Sequence, residues 1–392
     1  MNRIMRLGIG LGLAIGAAVG MGQASQAPES QRQTALALEQ QGKYVEAEAA
    51  WRVFLKAHPS NPEPYAHLGL LEARQEHYKE AVPLYRKALA INPAMPGLRL
   101  NLGLALFKGG ELKQAILEFK PLLNSQPASS PEALRLSILM GMAHYGLGEY
   151  AEAAPYLKQA AANDPRNLPL RLALAHSCMW SKQYQCVLDT YHEILTLNAE
   201  SAEADMLAGE ALDELKNTAD AVLQFRAAVK ADPKEPDVHF GLGYLLWRLM
   251  QLEEAAQEFQ AELDNNPDHG QALAYLADTE MKLGHPEAAL TPLEKAVRIA
   301  PTIPLAHLDL GILYSDAGRR DEALRELKIA EKLSPNDQNV HWRLGRFYQA
   351  TGRKDEAKAE FDKTRSLQKA ADETTFKKLH PTAEAPGAPA AK

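Results

Sequence analysis

The sequence predicts an all-α fold, an array of antiparallel helix pairs that grows by stacking, and three periodic columns carry that prediction. The first is proline, at Pro59, Pro93, Pro127, Pro165, Pro233, Pro267, Pro301 and Pro335, spaced by 34 except for one interval of 38 and one of 68 that spans Ala199. Proline excludes the preceding helical hydrogen bond, so each one ends a helix and starts the next unit. The second is a small-residue column at Ala47, Ala81, Ala115, Ala153, Ala221, Ala255, Ala289, Ala323 and Ala357, with Val187 as its one exception. The third is glycine at Gly69, Gly103, Gly141, Gly209, Gly243, Gly311 and Gly345, with alanine at positions 35, 175 and 277. A glycine in mid-helix costs about 1 kcal/mol against alanine, so close helix packing has to offset it.

Each unit reads as two short helices and a turn. In Pro304 to Pro335, the residues His307, Leu310, Gly311 and Tyr314 lie on the first helix, Gly318 breaks the apolar pattern, and Ala323 and Leu327 lie on the second. The large residues Trp51, Tyr85, Phe119, Leu157, Tyr191, Phe225, Phe259, Leu293, Leu327 and Phe361 form one column of the second helices and are expected to fill the core. Ten units fit, at 28–61, 62–95, 96–129, 134–167, 168–201, 202–235, 236–269, 270–303, 304–337 and 338–369. Four extra residues before Leu134, in the stretch ASSPEA, predict a longer loop or an extended helix start. The fifth unit lacks the glycine, the alanine and the final proline, which reads as a looser joint or as drift.

The pattern W-x2-L-G-x2-Y, then A-x3-F, then P, at a period of 34, is that of the tetratricopeptide repeat. The ten units closely resemble it over about nine tenths of the chain. The resemblance implies a right-handed superhelical solenoid that works by protein–protein contact, with the first helix of each unit lining a concave groove. No cofactor is expected.

The ends differ from the array. Residues 1–27 read as an export signal: Arg3 and Arg6 precede an uncharged run from Leu7 to Met21, and small residues around Ala24 suit cleavage. An uncleaved membrane anchor is the alternative, since Gly8, Gly12, Gly16 and Gly20 make a ladder that pairs membrane helices. The 15-residue run falls short of the roughly 20 residues that span a bilayer. Cleavage is therefore preferred, which leaves no membrane span and a periplasmic or otherwise exported protein. Residues 370–392 are expected to hold a capping segment and a Pro/Ala-rich tail with little to bury.

Charge and motifs narrow the function. Lys plus Arg number 43 against 50 for Asp plus Glu, which gives no electrostatic reason to bind nucleic acid. No P-loop, H-E-x-x-H, G-x-S-x-G or EF-hand spacing occurs, and the array uses up the chain, so an enzyme is the least favoured class. His239, His307 and His341 occupy one column on stacked helices whose axes lie roughly 8–10 Å apart, so they are expected to pack rather than converge on a metal. Cys178 and Cys186 flank the turn at Lys182-Gln183 at equal distances, where antiparallel helices bring side chains level. In an oxidising compartment they make a possible disulfide, and otherwise two buried thiols.

The partner call comes from a stripe on the first helices that packing does not require. It runs through Leu100, Leu104 and Phe107; Ile138, Met142 and Tyr145; Leu172, His176 and Met179; Met206, Glu210 and Asp213; Phe240, Tyr244 and Trp247; and Ala274, Asp278 and Met281. A solvated face is normally polar. The side chains of Phe107, Tyr145, His176, Met179, Met206, Phe240, Tyr244, Trp247 and Met281 suit a protein or peptide ligand of apolar character. The alternative is that tight coiling buries the stripe in the array's own core. Two functional classes follow: a cell-envelope scaffold that holds a peptide or partner domain, or a structural subunit of an envelope assembly or secretion complex.

Overall fold

A computed structural model describes residues 26–127, 129–197 and 201–379. The expected export segment, apart from its last two residues, and the Pro/Ala-rich tail lie outside the described residues, as does Ala199. The chain divides into two compact units, one ending at Leu215 and one beginning at Lys216. The first holds α1 (Gln26–Gln40), α2 (Tyr44–Ala57), α3 (Pro62–Arg74), α4 (Tyr78–Ile91), α5 (Leu98–Lys108), α6 (Leu112–Asn124), α7 (Pro131–Gly146), α8 (Tyr150–Asn163), α9 (Leu168–Trp180), α10 (Tyr184–Leu195) and α11 (Ala202–Glu214). The second holds α12 (Thr218–Ala231), α13 (Val238–Arg248), α14 (Leu252–Asn265), α15 (Gly270–Leu283), α16 (Pro286–Ile299), α17 (Pro304–Asp316), α18 (Arg320–Leu333), α19 (Gln338–Ala350) and α20 (Lys354–Leu379). Within each unit, helices pack against their chain neighbours, and among the described residues there is no strand. The fold is an all-α helical-repeat solenoid.

Local chemistry sets where helices start and turn. Asn61, Ser130 and Asn167 each accept a backbone N–H of the first helical turn, with proline just inside the start. Ser130 and Pro131 account for the four extra residues: α7 starts early and runs 16 residues, longer than any other first helix. The turn inside each pair holds one left-handed residue, at Gly42, Glu76, Gly110, Gly148, Lys182, Lys216, Met250, Gly284, Gly318 and Gly352, with φ from 60° to 90°. The next residue's N–H reaches back five positions, as from Arg319 to the Tyr314 carbonyl at 2.8 Å and from Gln183 to Cys178 at 2.8 Å. This is the Schellman closure, which supplies donors to the last carbonyls of the first helix.

The core follows the three columns. Ala47, Ala81, Ala115, Ala153, Val187, Ala221, Ala255, Ala289 and Ala323 are fully buried. A Cβ on Gly69 would lie 2.8 Å from the Tyr85 ring, and one on Gly311 would lie 2.7 Å from Leu327, so the glycines exist to admit the large residue sixteen positions on. Trp51, Tyr85, Phe119, Leu157, Phe225, Phe259, Leu293 and Leu327 are buried, as expected. Tyr191 and Phe361 are only half-buried. The Tyr191 hydroxyl turns out to donate to Asp205 of α11 at 2.9 Å, and Phe361 lies on α20, beyond which no described helix packs. Residues 370–379 form no separate capping helix but continue α20, which runs 26 residues.

Candidate functional site

Within each unit the first helices of neighbouring pairs approach one another, as α9 does α11 and α15 does α17, so they share one face. That face carries the apolar stripe. In the first unit Phe107, Tyr145, His176, Met179 and Met206 are all half-buried. Tyr145 meets Tyr150 edge-on at 5.6 Å, Trp180 stacks on Tyr150 at 6.1 Å, and His176 Nε2 lies 2.7 Å from Glu203. Some stripe positions are covered: Leu104 is 5% and Met142 8% exposed, and in the second unit Ala274 and Asp278 are also buried. At those positions the adjacent first helices meet, so they belong to the core rather than to an open face.

The second unit gathers the stripe into a cluster. Phe240, Tyr244 and Trp247 run along α13 as a stack, with ring centroids 6.3 Å and 6.0 Å apart, and all three are half-buried. Tyr275 of α15 stands edge-on to Tyr244 at 5.4 Å and to Trp247 at 5.0 Å. Behind it lies the fully buried Phe259 at 5.9 Å. The Trp247 indole donates to Asp278 at 2.5 Å, and Lys282, which pairs with Asp278 at 2.5 Å, places its ammonium 4.1 Å from the Trp247 ring centroid. Edge-on packing and a cation over the indole face both hold these rings in one orientation. Burial pushes the Tyr275 hydroxyl up to about 12, with Tyr244 and Asp278 adding to it.

Trp247, Tyr275 and Met281 form one end of a pocket of about 570 Å³ that continues over α17 and α19. Its floor holds Asp309, 4% exposed, whose pKa is raised well above the ordinary carboxyl range by burial and by the nearby Asp278. Tyr275, Asp309 and Arg343 are equivalent residues of successive repeats and all line this pocket. They are hidden in the sequence because Tyr275 and Asp309 each follow a buried residue of their helix, Ala274 and Leu308, and Arg343 reads as one of the charged residues of the last repeat. A column of unlike residue types at equivalent positions was the available signal.

The histidine column forms polar ties between the two helices of a pair. His239, His307 and His341 place Nδ1 at 2.6, 2.7 and 2.6 Å from Glu258, Glu326 and Glu360, in each case nineteen residues on. Nε2 of His307 donates to the Pro301 carbonyl, and that of His341 to Pro335. Glu331 and Glu360 stand near His341, but its two nitrogens already face oxygens. Asp237, Glu262 and His269 also gather. There His269 Nδ1 accepts the Ala272 N–H, capping α15, so the proton on Nε2 goes to Asp237 at 2.7 Å and holds that carboxyl below its usual range. Hydrogen bonding accounts for both groups without an ion.

Cys178, fully buried on α9, is bonded to Cys186 on α10, with Cα atoms 5.8 Å apart. Among the described residues, no helix is long and apolar enough to cross a membrane.

Comparison with known proteins agrees with this architecture. Two tetratricopeptide-repeat family models match, one at residues 72–137, 144–210 and 316–372 and the other at 32–96, 188–236, 208–268 and 240–304. The chain belongs to the tetratricopeptide-repeat family, whose arrays are protein-interaction scaffolds. It is 25% identical over 178 residues to the human protein O-mannosyl-transferase TMTC1, a match that covers 44% of this chain. The aligned region spans 20% of the length of that relative, so its transferase activity is not carried over. Among solved structures it is similar to YrrB, described as a TPR protein with an unusual peptide-binding site, at 21% identity and a TM-score of 0.38, covering 45% of this chain and 92% of that one. It is also similar to MamA from Desulfovibrio magneticus RS-1, at 20% identity and a TM-score of 0.38, covering 44% and 97%.

Proposed function

We propose that this protein is a cell-envelope scaffold that binds an apolar peptide or helix of a partner along the shared face of its first helices. The observation that carries the reading is the half-buried aromatic stack of Phe240, Tyr244 and Trp247, braced by Tyr275 and Lys282. Such rings offer broad apolar area at little entropic cost on binding, because packing has already fixed their orientation. Phe107, Tyr145, Met179, Met206 and Met281 extend the same kind of surface in their respective units, the methionines adding adaptability. Arrival in the envelope rests on Arg3, Arg6 and the apolar run that follows, with cleavage near Ala24.

Replacing Tyr244 and Trp247 with Ser tests the binding face. Fully buried aromatics cost about 3–5 kcal/mol each when truncated, so two half-buried ones should together cost no more than about 5 kcal/mol if their free area serves a partner. Capture of partners from the envelope fraction should be lost while cooperative unfolding persists. Retained capture, or a stability loss above that range, contradicts the reading. Cell fractionation with N-terminal sequencing tests the location: a cytoplasmic chain that still begins at Met1 removes the envelope from the proposal.

A further inference from the structure

The pocket over α15, α17 and α19 contains two polar groups that the aromatic stack does not use. Among the described residues, Oδ2 of Asp309 and Nε of Arg343 have no hydrogen-bond partner. Asp309 is 4% exposed, so water does little to compensate it. Buried polar groups are nearly always paired, so an orphaned acceptor and an orphaned donor in one pocket call for a partner that the described residues do not supply. The walls beside them, Leu308, Ile312 and Val340, are apolar.

We propose that this pocket is an amide-binding subsite, in which a ligand N–H donates to Asp309 and the ligand carbonyl accepts from Arg343. The proposal rests on the reading of this face as a peptide-binding surface and names the chemistry of one anchor point. The surrounding charges, two acids and two bases, give no net preference for an ion of either sign. Asp278 is already matched by Lys282 and by the Trp247 indole, and Lys282 and Arg343 both act on Asp309 electrostatically. An ammonium or guanidinium group entering here would gain from Asp309 and Asp278 but meet Lys282 and Arg343, and a carboxylate would gain from those cations but meet the two acids. A neutral dipole aligned between opposite charges meets neither penalty and pairs both orphaned atoms. The amide also suits Asp309 in either state, since burial favours its protonated form and a protonated carboxyl keeps an oxygen that accepts an N–H. Two sources present this chemistry: the main chain of an extended segment laid across α17 and α19, and the side chain of Asn or Gln.

The full chain, labelled at its methionine and isoleucine methyls, allows the pocket to be read by NMR at Met281 and Ile312. The probes are N-methylacetamide for a main-chain amide, propionamide for a side-chain amide, N,N-dimethylacetamide as an amide without a donor, and propylammonium and propionate as ions. At least one of the first two should give saturable shifts at both methyls, with affinity at least tenfold weaker in Asp309→Leu and in Arg343→Met. Saturation by N-methylacetamide alone assigns the main chain, and by propionamide alone the side chain. Absence of saturation by both donor amides, an equal response to N,N-dimethylacetamide, tighter binding of either ion, or unchanged affinity in the folded variants overturns the proposal. A lost amide response beside intact dependence of partner capture on Tyr244 and Trp247 defeats this inference alone. A retained amide response with capture indifferent to those two residues defeats the wider reading alone.

Discussion

Gly243 of α13 faces the ring of Phe259 on α14 so closely that a Cβ at Gly243 would lie 2.8 Å from the ring. That ring is fully buried and in turn supports Phe240 and Tyr275, each at 5.9 Å, so one core contact backs the candidate binding surface. Alanine ordinarily gains about 1 kcal/mol over glycine in a helix, but overpacking a core costs about 1–3 kcal/mol. Gly243→Ala should therefore destabilise the protein by up to about 2 kcal/mol in urea denaturation. Adding Phe259→Leu should recover part of that loss, because the two residues share a contact. A stabilised Gly243→Ala variant would show that the helices have room to separate.

The turn inside each pair predicts the opposite effect of glycine. Met250 and Glu76 hold φ of 61° and 63°, a conformation that L side chains occupy at a cost of about 1 kcal/mol. Met250→Gly and Glu76→Gly should each stabilise by about 0.5–1 kcal/mol, and the two should add, since they stand in different units. The check is a rise in the urea midpoint with an unchanged m-value.

Asp309 predicts a pH dependence. Its pKa is raised in the folded chain, so between the ordinary carboxyl value and the raised one the native state holds more protons than the unfolded state. Stability therefore falls as pH rises through that window, and the penalty is absent below about pH 4, where both states are protonated. The stability of Asp309→Leu relative to wild type should thus increase from pH 4 upward and then level off. A difference that does not vary with pH would mean that Asp309 is ionised at its ordinary value.

The bond between Cys178 and Cys186 closes a sequence separation of 8, for which the chain-entropy model gives about 2.5 kcal/mol of stabilisation. Protein recovered from an oxidising compartment should have a mass two hydrogens below that of its reduced form. Cys186→Ala should lower its stability by about 2 kcal/mol without reductant and much less with it. Equal effects in both conditions would place the cysteines among ordinary packing residues.

The repeat architecture was legible because its constraints are local and recur: a proline that ends a helix, and an alanine and a glycine where helices touch. The stripe was legible for the same reason at Phe240, Tyr244 and Trp247, where an apolar run lies on a side that packing does not require. Helical spacing alone could not show that Leu104 and Met142 are buried, because their cover comes from the neighbouring repeat. Nor could it show the polar ties from His307 to Glu326 and His341 to Glu360, which depend on how two helices rotate against each other. Asp309 was hidden for a related reason: an acidic residue on a helix is normally solvated, and only the approach of α15 and α19 desolvates it.

Site-specific photo-crosslinking tests the central claim most directly. A photoreactive residue in place of Met281, on the shared face of the first helices, is compared with one in place of Leu223, which is 61% exposed on the second helix α12. The scaffold reading predicts a discrete crosslinked partner from position 281, lost when Tyr244 and Trp247 are replaced by Ser, and none from position 223. Crosslinks from 223 with none from 281 would contradict it and assign the contacts to the second helices.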